Sequence, residues 1–365
     1  MDDEKYIRLC IDLAKNGAGF VSPNPLVGCV IVKDDRIIGQ GYHKKYGDNH
    51  AEVNAIYSAK ESLTDAVLYV NLEPCVHFGK TPPCVDKIIE SGIKKVVIGT
   101  IDPNPLVAGK GIKKLSKSNV KVKFGVLEKE CLELNKFFFK YIKTNIPYVN
   151  LKIAQSLDGY ITSNANKSEI ITSKESRKVV HKLRSEYDAV LIGVNTAIID
   201  NPSLNVRLVE GRDPYRVVLD SNLRIRKNSN LVQNNKDCKT IIFCSYDALN
   251  SKKRYINYLQ SKGVRIIPVR KNTKGLSLKE VLRKLGSLKI ASLLVEGGSK
   301  IFSSFLQQNL WDEINIFLAP KILGDGLRSF SSVSKNKLIN SISSCDVKFE
   351  KYENDIRIIF IKSKK

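Results

Sequence analysis

Two short stretches of the sequence decide how its first part folds. His50-Ala51-Glu52 opens a predicted helix, and Glu73-Pro74-Cys75 follows an apolar strand predicted over 66–72. The next eight residues, Val76-His77-Phe78-Gly79-Lys80-Thr81-Pro82-Pro83, lead to Cys84, which begins another predicted helix. One imidazole and two thiolates are a three-ligand set for Zn²⁺ that leaves a fourth position for water. The pattern therefore predicts a catalytic zinc held by His50, Cys75 and Cys84, rather than two packed cysteines and a capping histidine.

Glu52 lies two residues after the predicted histidine ligand, and we expect it to move protons. Zinc lowers the pKa of a bound water toward about 7. A nearby carboxylate that is not a ligand can take a proton from that water and pass it on. The plan of His-x-Glu followed by a cysteine pair is that of nucleobase deaminases, in which two residues separate the cysteines. Here eight residues separate them.

Outward from these stretches, the first part of the chain alternates between helices and strands. The apolar pattern predicts helices over 3–16, 50–60, 84–91 and 129–143, and strands over 27–32, 37–42, 66–72 and 95–99. Strands that alternate with helices of this length favour a parallel or mixed sheet covered on both faces. The fold class predicted for this part is α/β.

Thr144-Asn145-Ile146-Pro147 interrupts the pattern, because proline disfavours helix at the residue before it. A second α/β series follows, with strands predicted over 148–154, 189–193, 216–220, 241–244, 264–268, 293–296, 346–352 and 356–361. We therefore predict two domains, 1–145 and 146–365.

The composition narrows the class of protein. The 365 residues carry a formal net charge of +23, with 42% hydrophobic and 27% charged residues, which is typical of a globular chain. The lysines are spread over both halves instead of being clustered with aromatic residues, which argues against a nucleic-acid binder and leaves attraction to phosphorylated small molecules open. The cysteines outside the zinc set lie in apolar stretches and are expected to be reduced. No apolar run is long enough to span a membrane and no signal peptide is evident, so we expect a cytoplasmic protein.

The second half has its own glycine-containing turns. Leu151–Gly159 is predicted to be a strand that runs into a turn, and Leu293–Ser299 a strand, a Gly-Gly turn and the start of a helix. Small residues at such a turn let backbone N–H groups approach a phosphate. The stretch lacks G-x-G-x-x-G, so a Rossmann domain is not supported, and a plain tight turn is an equal alternative.

These motifs together resemble one enzyme family. Ser22–Gly28, His50-Ala51-Glu52, Glu73-Pro74-Cys75, 80–84, 102–105 and 109–111 are similar to the deaminase half of the bifunctional riboflavin-biosynthesis deaminase-reductases. Ser156–Gly159, 181–184, 188–193, 196–207 and 296–298 are similar to the reductase half. The resemblance implies a cytidine-deaminase-like three-layer domain followed by a dihydrofolate-reductase-like domain.

The resemblance also implies site residues. Zinc would be bound by His50, Cys75 and Cys84, with Glu52 as the catalytic proton carrier, and the pyrimidine pocket would be lined by Asn24, His43, His77 and Lys80. NADPH would be held by Ala154, Ile170, Thr196, Asp200, Ser221, Gly298, Ser299, Lys300, Ile301, Phe302, Ser303 and Ser304. The second substrate would be held by Lys152, Ser168, Arg184, Leu204, Arg207 and Glu296. The family typically has tryptophan where this chain has Ile170, so an aromatic platform expected beside the nicotinamide is missing.

The activity that this implies is hydrolytic deamination of a diaminopyrimidinone ribosylamine phosphate, followed by reduction of its ribosyl group to a ribityl chain with NADPH. Two rival interpretations are a tRNA-type nucleic-acid base deaminase and a basic RNA-binding protein with a structural zinc. The eight-residue gap between the cysteines and the entire second domain disfavour the first rival. A three-ligand set and the lack of clustered aromatic residues disfavour the second. A homo-oligomer is compatible with the sequence.

Overall fold

The structure is a computed structural model that describes residues 2–79, 82–167, 169–273, 275–331 and 345–363. The chain divides into two compact units, Met1–Asn145 and Ile146–Lys365. The predicted residues Lys80 and Ser168 lie outside the described residues. Among the described helices, none is both long enough and apolar enough to cross a bilayer.

The first unit is an α/β domain. Its described strands are β1 (Gly28–Lys33), β2 (Arg36–Tyr42), β3 (Val67–Leu72), β4 (Lys95–Thr100) and β5 (Lys121–Phe124). Its described helices are α1 (Asp3–Lys15), α2 (Ala51–Ser58), α3 (Cys84–Glu90), α4 (Lys110–Lys117), α5 (Glu128–Leu134) and α6 (Lys136–Thr144).

These strands form a mixed sheet in the order β2-β1-β3-β4-β5. β1 pairs antiparallel with β2 and β3, whereas β3, β4 and β5 are parallel. Alternate side chains of β1 point to opposite faces: Cys29 and Ile31 pack in the cluster that contains α2 and α3, and Val30 and Val32 pack in the cluster that contains α1. Helices therefore cover both faces of the sheet, as the sequence predicts.

The single helix predicted over 129–143 is wrong, because the structure has two helices that meet at Asn135. Asn135 has φ −102° and ψ 21°, which is outside the helical range. Its buried side chain pairs with the backbone of Leu26, accepting from the Leu26 N–H at 2.7 Å and donating to the Leu26 carbonyl at 2.9 Å. This pairing satisfies the hydrogen-bonding capacity of the Leu26 N–H and carbonyl groups, and it fixes the start of α6 next to Leu26.

The second unit is also α/β. Its described strands are β6 (Tyr148–Ser156), β7 (Tyr160–Thr162), β8 (Ala189–Gly193), β9 (Tyr215–Leu219), β10 (Thr240–Ser245), β11 (Arg265–Val269), β12 (Lys271–Asn272), β13 (Gly275–Leu276), β14 (Ser292–Val295), β15 (Glu313–Ala319), β16 (Leu327–Arg328), β17 (Cys345–Tyr352) and β18 (Asp355–Lys362). Its described helices are α7 (Lys174–Glu186), α8 (Val194–Ile199), α9 (Asn230–Gln233), α10 (Tyr246–Ser251), α11 (Lys253–Ser261), α12 (Leu278–Ser287) and α13 (Ser299–Gln307).

Its main sheet has the strand order β11-β10-β9-β8-β14-β6-β15-β18-β17. The pairs from β11 through β15 are parallel, and the β17–β18 hairpin adds two antiparallel strands at one edge. One face carries the core cluster, in which α12 and α13 pack on β6, β8 and β14. Since β14 lies between β8 and β6, the carboxyl ends of these three parallel strands meet at one edge of the sheet.

Strand β15 is absent from the sequence-based prediction, although it pairs directly with β6. Its polar residues Glu313 and Asn315 are buried, and they belong to a hydrogen-bonded network with Asn150 and Tyr148. Arg357 of β18 also donates to Asn315 at 2.6 Å. The network satisfies polar groups that would otherwise be costly inside a sheet.

Candidate active sites

The three predicted zinc ligands converge in the first unit. His50 caps the N-terminus of α2, Cys84 is the first residue of α3, and Cys75 follows the end of β3. Their ligand atoms all lie within 4.8 Å of one another. The Nδ1 atom of His50 is 3.2 Å from the Sγ of Cys84 and 3.5 Å from the Sγ of Cys75. One nitrogen and two sulfur atoms at this separation fit a single Zn²⁺.

The electrostatics of the cluster favour a cation. A hydrogen bond from Cys84, with further bonds from His50 and from the Cys84 backbone N–H, lowers the pKa of Cys75 to about 4. A thiolate is the form that binds metal. Burial raises the pKa of the neighbouring Glu52 carboxyl to about 6, and its Oε2 is buried without a hydrogen-bond partner among the described atoms. An uncompensated buried oxygen beside three ligand atoms fits a water held on a bound metal.

A cavity of about 430 Å³ opens onto this cluster. The predicted substrate residues Asn24, His43 and His77 line it together with His50, Glu52 and Cys75. Asn24 Nδ2 lies 3.3 Å from His43 Nε2, and His43 Nδ1 lies 3.0 Å from the carbonyl oxygen of Asn49. These contacts fix the orientation of the His43 ring, which packs edge-on against the ring of His50.

Further residues that were not predicted from the sequence line this cavity. They include Asp102, Asn104, Tyr46, Phe138 and Tyr141. Burial raises the pKa of Asp102 to about 7, with contributions from Glu73 and Cys75 and against the hydrogen bond from the Asn104 backbone N–H. Residues 102–105 form one of the motifs that resemble the family. Their residue types and spacing do not predict that they lie beside Cys75 in the folded chain.

In the second unit, the predicted substrate residues form a buried ion cluster. Glu296 lies after the end of β14 and pairs with Lys152 of β6 at 3.0 Å. It also accepts two hydrogen bonds from Arg184 of α7, at 2.6 and 2.8 Å. Burial by itself raises the pKa of Glu296, but Arg184 and Lys152 outweigh burial and hold the pKa well below its usual range. The guanidinium fork of Arg184, a group that can bind a phosphate, is therefore turned toward Glu296 in this structure.

A loop lies beside this ion cluster. Leu204 is buried with φ +50°, and Arg184 donates to the carbonyl of Asn205 at 3.2 Å. The exposed guanidinium of Arg207 is 3.0 Å from the Asn205 side chain, and the Arg207 backbone N–H donates to His181 Nδ1 at 3.1 Å. Burial and the charges of Arg184 and Arg207 lower the pKa of His181 to about 4, so His181 remains neutral and accepts. His181 was not predicted as a site residue.

A second cavity, of about 480 Å³, contains half of the predicted cofactor residues. It lies where β8 leads into α8 and where the Gly-Gly turn leads into α13. A Cβ on Gly297 would lie 2.8 Å from Ile301, so only glycine lets the turn pack this closely on the helix. The predicted residues that line the cavity are Thr196, Asp200, Gly298, Ser299, Lys300 and Ile301.

The N-terminus of α13 fits the phosphates of a dinucleotide. Gly298 is the N-cap of the helix and has no side chain, so no side-chain cap occupies the first backbone N–H groups of α13, whose first residues line the cavity. The hydroxyl of Ser299 is buried, and it has no hydrogen-bond partner among the described atoms. Unpartnered donors at a helix N-terminus are the usual phosphate-binding arrangement.

The other predicted cofactor residues do not line this cavity. The side chain of Phe302 packs in the core, and the buried hydroxyl of Ser303 donates to the carbonyl of Ser299. Ser304 faces outward and bonds within the helix at the carbonyl of Lys300. Ile170 is 64% exposed, so the aliphatic side chain at this position has few packing partners. The two remaining predicted residues, half-buried Ala154 and Ser221, lie outside the cavity wall.

A zinc-dependent deaminase domain followed by a reductase domain is the class of protein that this fold and these sites define. The model of the cytidine and deoxycytidylate deaminase zinc-binding region matches residues 1–100, and the model of the RibD C-terminal domain matches residues 147–358. The first unit is thus cytidine-deaminase-like, and the second has the dihydrofolate-reductase-like fold of the RibD reductases.

Whole-length relatives agree. The chain is 45% identical over 359 residues to the riboflavin biosynthesis protein RibD of Aquifex aeolicus, with 98% of each chain covered. It resembles the crystal structure of a diaminohydroxyphosphoribosylaminopyrimidine deaminase/5-amino-6-(5-phosphoribosylamino)uracil reductase from Thermotoga maritima, with a TM-score of 0.87, 40% identity and 99% of each chain covered. Acinetobacter baumannii RibD matches with a TM-score of 0.88, 35% identity and the same coverage. The chain belongs to the RibD family of bifunctional deaminase-reductases of riboflavin biosynthesis, whose cofactors are zinc and NADPH.

We expect one zinc per chain, lost in Cys75→Ser and Cys84→Ser, because a hydroxyl is a poorer ligand than a thiolate for this borderline-soft ion. Elemental analysis of the purified variants measures the zinc content. Cys238→Ser, at an exposed cysteine of the second unit, serves as the control and should keep its zinc. Unchanged zinc in either ligand variant would contradict the assignment.

Proposed function

We propose that the first unit hydrolytically removes the ring amino group of a diaminopyrimidinone ribosylamine 5′-phosphate. The second unit then reduces the ribosyl group of that product to a ribityl chain with NADPH. The observation that carries the proposal is the cluster of His50, Cys75 and Cys84 beside the buried Glu52, which lies at the wall of a cavity large enough for a nucleotide-sized ligand.

In the deamination, Glu52 is the residue that moves the proton. Zinc bound by the three ligands supplies an acidified water that is nucleophilic at neutral pH. Glu52 would take a proton from such a water and deliver it to the departing nitrogen, so that the remaining hydroxyl bonds to the ring carbon in place of the amino group and ammonia leaves. The buried position of Glu52 raises its pKa toward neutral pH, which suits a group that must both accept and donate a proton.

The pyrimidine is bound by the cavity wall. Asn24 and His43 contact each other and offer an amide and an imidazole to the ring substituents. His77 Nδ1 is buried without a partner among the described atoms, which leaves it available to a substrate hydrogen bond. Lys80 belongs to the same proposal on the strength of the family resemblance alone.

In the reduction, the ion cluster around Glu296 positions the ribosyl group. Glu296 fixes Lys152 of β6 and Arg184 of α7 by charge-assisted bonds. The exposed guanidinium of Arg207 is the better placed of the two arginines for the substrate phosphate, because the fork of Arg184 is occupied by Glu296. Leu204 and Ser168 complete the proposed substrate set.

NADPH occupies the second cavity in this proposal. The α13 N-terminus at Gly298–Ile301 receives its phosphates, while Thr196 and Asp200 form the facing wall. Ala154, Ile170, Ser221 and the residues Phe302–Ser304 belong to the proposed cofactor region by resemblance, and their side chains lie outside the cavity wall.

The partners that we propose are small phosphorylated pyrimidines, with no nucleic acid and no membrane, and self-association of the chain is compatible with the proposal. The high positive charge attracts phosphorylated substrates. We propose a cytoplasmic location, because the thiolate ligands require reducing conditions.

Glu52→Gln should retain zinc and lose deamination by about 10²–10⁴-fold, because the amide keeps the shape of the side chain but cannot carry a proton. Ammonia release from the ribosylaminopyrimidine phosphate measures the loss. Glu61→Gln, at an exposed carboxylate of the same unit, is the matched control. A near wild-type rate for Glu52→Gln would exclude the proposed role of Glu52.

Asp200→Ala should impair reduction and leave ammonia release nearly intact, because Asp200 lines the second cavity and the zinc cluster belongs to the other unit. The two steps are assayed separately, with NADPH oxidation measured on the deaminated substrate. Asp247→Ala, at an exposed position of α10, should affect neither step. A parallel loss of deamination in a well-folded Asp200→Ala variant would mean that the two chemistries are not independent.

A further inference from the structure

We propose that Glu73 is a positioning residue of the deaminase site. Its carboxylate holds the loop 102–109 against the segment that carries the zinc ligand Cys75, and so builds the cavity wall formed by Asp102 and Asn104. The inference rests on the proposed deamination in the first unit, and it adds a residue to which neither the resemblance nor the zinc chemistry gives a role.

Glu73 lies between β3 and Cys75, and only 3% of it is exposed. Its Oε2 accepts from the backbone N–H groups of Asp102 at 3.2 Å and of Gly109 at 2.9 Å. Its Oε1 accepts from those of Gly111 at 2.9 Å and of Ile112 at 3.2 Å. One side chain therefore binds both ends of the loop 102–109 and the first turn of α4.

All four donors to Glu73 are backbone N–H groups, so the arrangement requires an acceptor at both oxygens. A carboxylate provides this, whereas a protonated acid or an amide would present a donor to one pair of N–H groups. No cation pairs with Glu73 in the described part of the chain. The negative charge is compensated instead by the N–H groups and by the dipole of α4, whose N-terminus it caps from a distant strand.

Two glycines, one at the end of the loop and one in the first turn of α4, allow the backbone to pack closely on Glu73. Gly109 has φ +76°, the left-handed conformation that favours glycine. A Cβ on Gly111 would lie 2.4 Å from the carbonyl oxygen of Pro74 and 3.0 Å from Glu73 Oε1. The N-terminus of α4 thus packs directly on the Glu73–Pro74 backbone, with no room for a larger residue at position 111.

The contact determines where the cavity wall lies. Asp102 and Asn104 line the cavity, and a hydrogen bond from the Asn104 backbone N–H to Asp102 Oδ1 at 2.7 Å holds them together. Neither is one of the three zinc-ligand residues, so within this proposal they bind the substrate and take no part in the proton transfer. Contacts made there stabilise the bound substrate and the transition state equally. Such uniform binding lowers KM and leaves kcat unchanged.

The zinc ligand Cys75 has hydrogen bonds of its own that do not involve Glu73. The backbone N–H of Cys84 donates to Cys75 Sγ at 3.4 Å, and the N–H of Val85 donates to the carbonyl of Cys75 at 3.2 Å. Cys75 is therefore held by the N-terminus of α3. Loss of the Glu73 contact should displace the loop 102–109 and leave the metal in place.

The test compares full-length wild type, Glu73→Gln and the control Glu90→Gln, whose carboxylate is exposed on α3. Zinc content, the deaminase kcat and KM for the ribosylaminopyrimidine phosphate, and NADPH oxidation on the deaminated substrate are measured for each. We expect Glu73→Gln to keep one zinc and its reductase rate, and to raise the deaminase KM on the order of 10–100-fold with kcat changed far less. Glu90→Gln should match the wild type.

A wild-type KM in Glu73→Gln would overturn the proposal, and so would loss of zinc from this variant, since the residue would then serve the metal site. If Glu73→Gln does not fold, Asp102→Asn is tested instead, because an Asn side chain can still accept from the Asn104 backbone N–H and the backbone bond to Glu73 is kept. This variant must raise the deaminase KM with unchanged zinc content. An unchanged KM in Asp102→Asn overturns the proposal as well. Absence of ammonia release by the wild-type protein would instead refute the proposed function, so the two failures are distinguishable.

Discussion

Convergence of a strand end with two helix N-termini is the constraint on which the chemistry of the first unit depends. Cys75 lies just after the end of β3, His50 lies at the N-terminus of α2, and Cys84 is the first residue of α3. Helix N-termini favour thiolates and place backbone N–H groups nearby, so the polypeptide supplies both the ligands and their electrostatic support. The buried Glu52, in the first turn of α2, lines the same cavity as His50 and Cys75. The sheet is thus a rigid frame for a metal that binds only when all three elements are in place.

In the second unit, a buried cluster of charged side chains, instead of a metal, links the elements that form the proposed site. Glu296 follows β14, Lys152 lies on the neighbouring β6, and Arg184 comes from α7, so the buried carboxylate links three elements. An ion cluster of this kind is costly to bury unless its members satisfy one another, and here both carboxylate oxygens are bonded. The Gly-Gly turn that directly follows Glu296 leads to the α13 N-terminus. The residues proposed for the substrate and for the cofactor are therefore adjacent along a single stretch of chain.

The local patterns of the sequence were enough for the α/β class and for most strands and helices, because apolar periodicity is set by burial on a sheet or helix face. They were also enough to predict that the side chains of His50, Cys75 and Cys84 come together, because their residue types and spacing are those of a zinc site. Contacts between distant segments were not predictable. The break at Asn135 is caused by pairing with Leu26, and the burial of Glu313 and Asn315 is possible only beside Asn150. His181 and Asp102 likewise have hydrogen-bond partners that are remote in the sequence, the backbone N–H of Arg207 and the carboxylate of Glu73.

Hydrolytic deamination and reduction are two chemistries of one chain, carried out at two separate sites. Mass analysis of the products formed from the diaminopyrimidinone ribosylamine phosphate, with and without NADPH, is the decisive measurement. Without NADPH, we expect ammonia and a product in which oxygen replaces one amino group. With NADPH, we expect the same product with two added hydrogens on the sugar chain. NADPH oxidation with the amino group retained, or no ammonia from zinc-loaded protein, would show that the two chemistries are wrongly assigned.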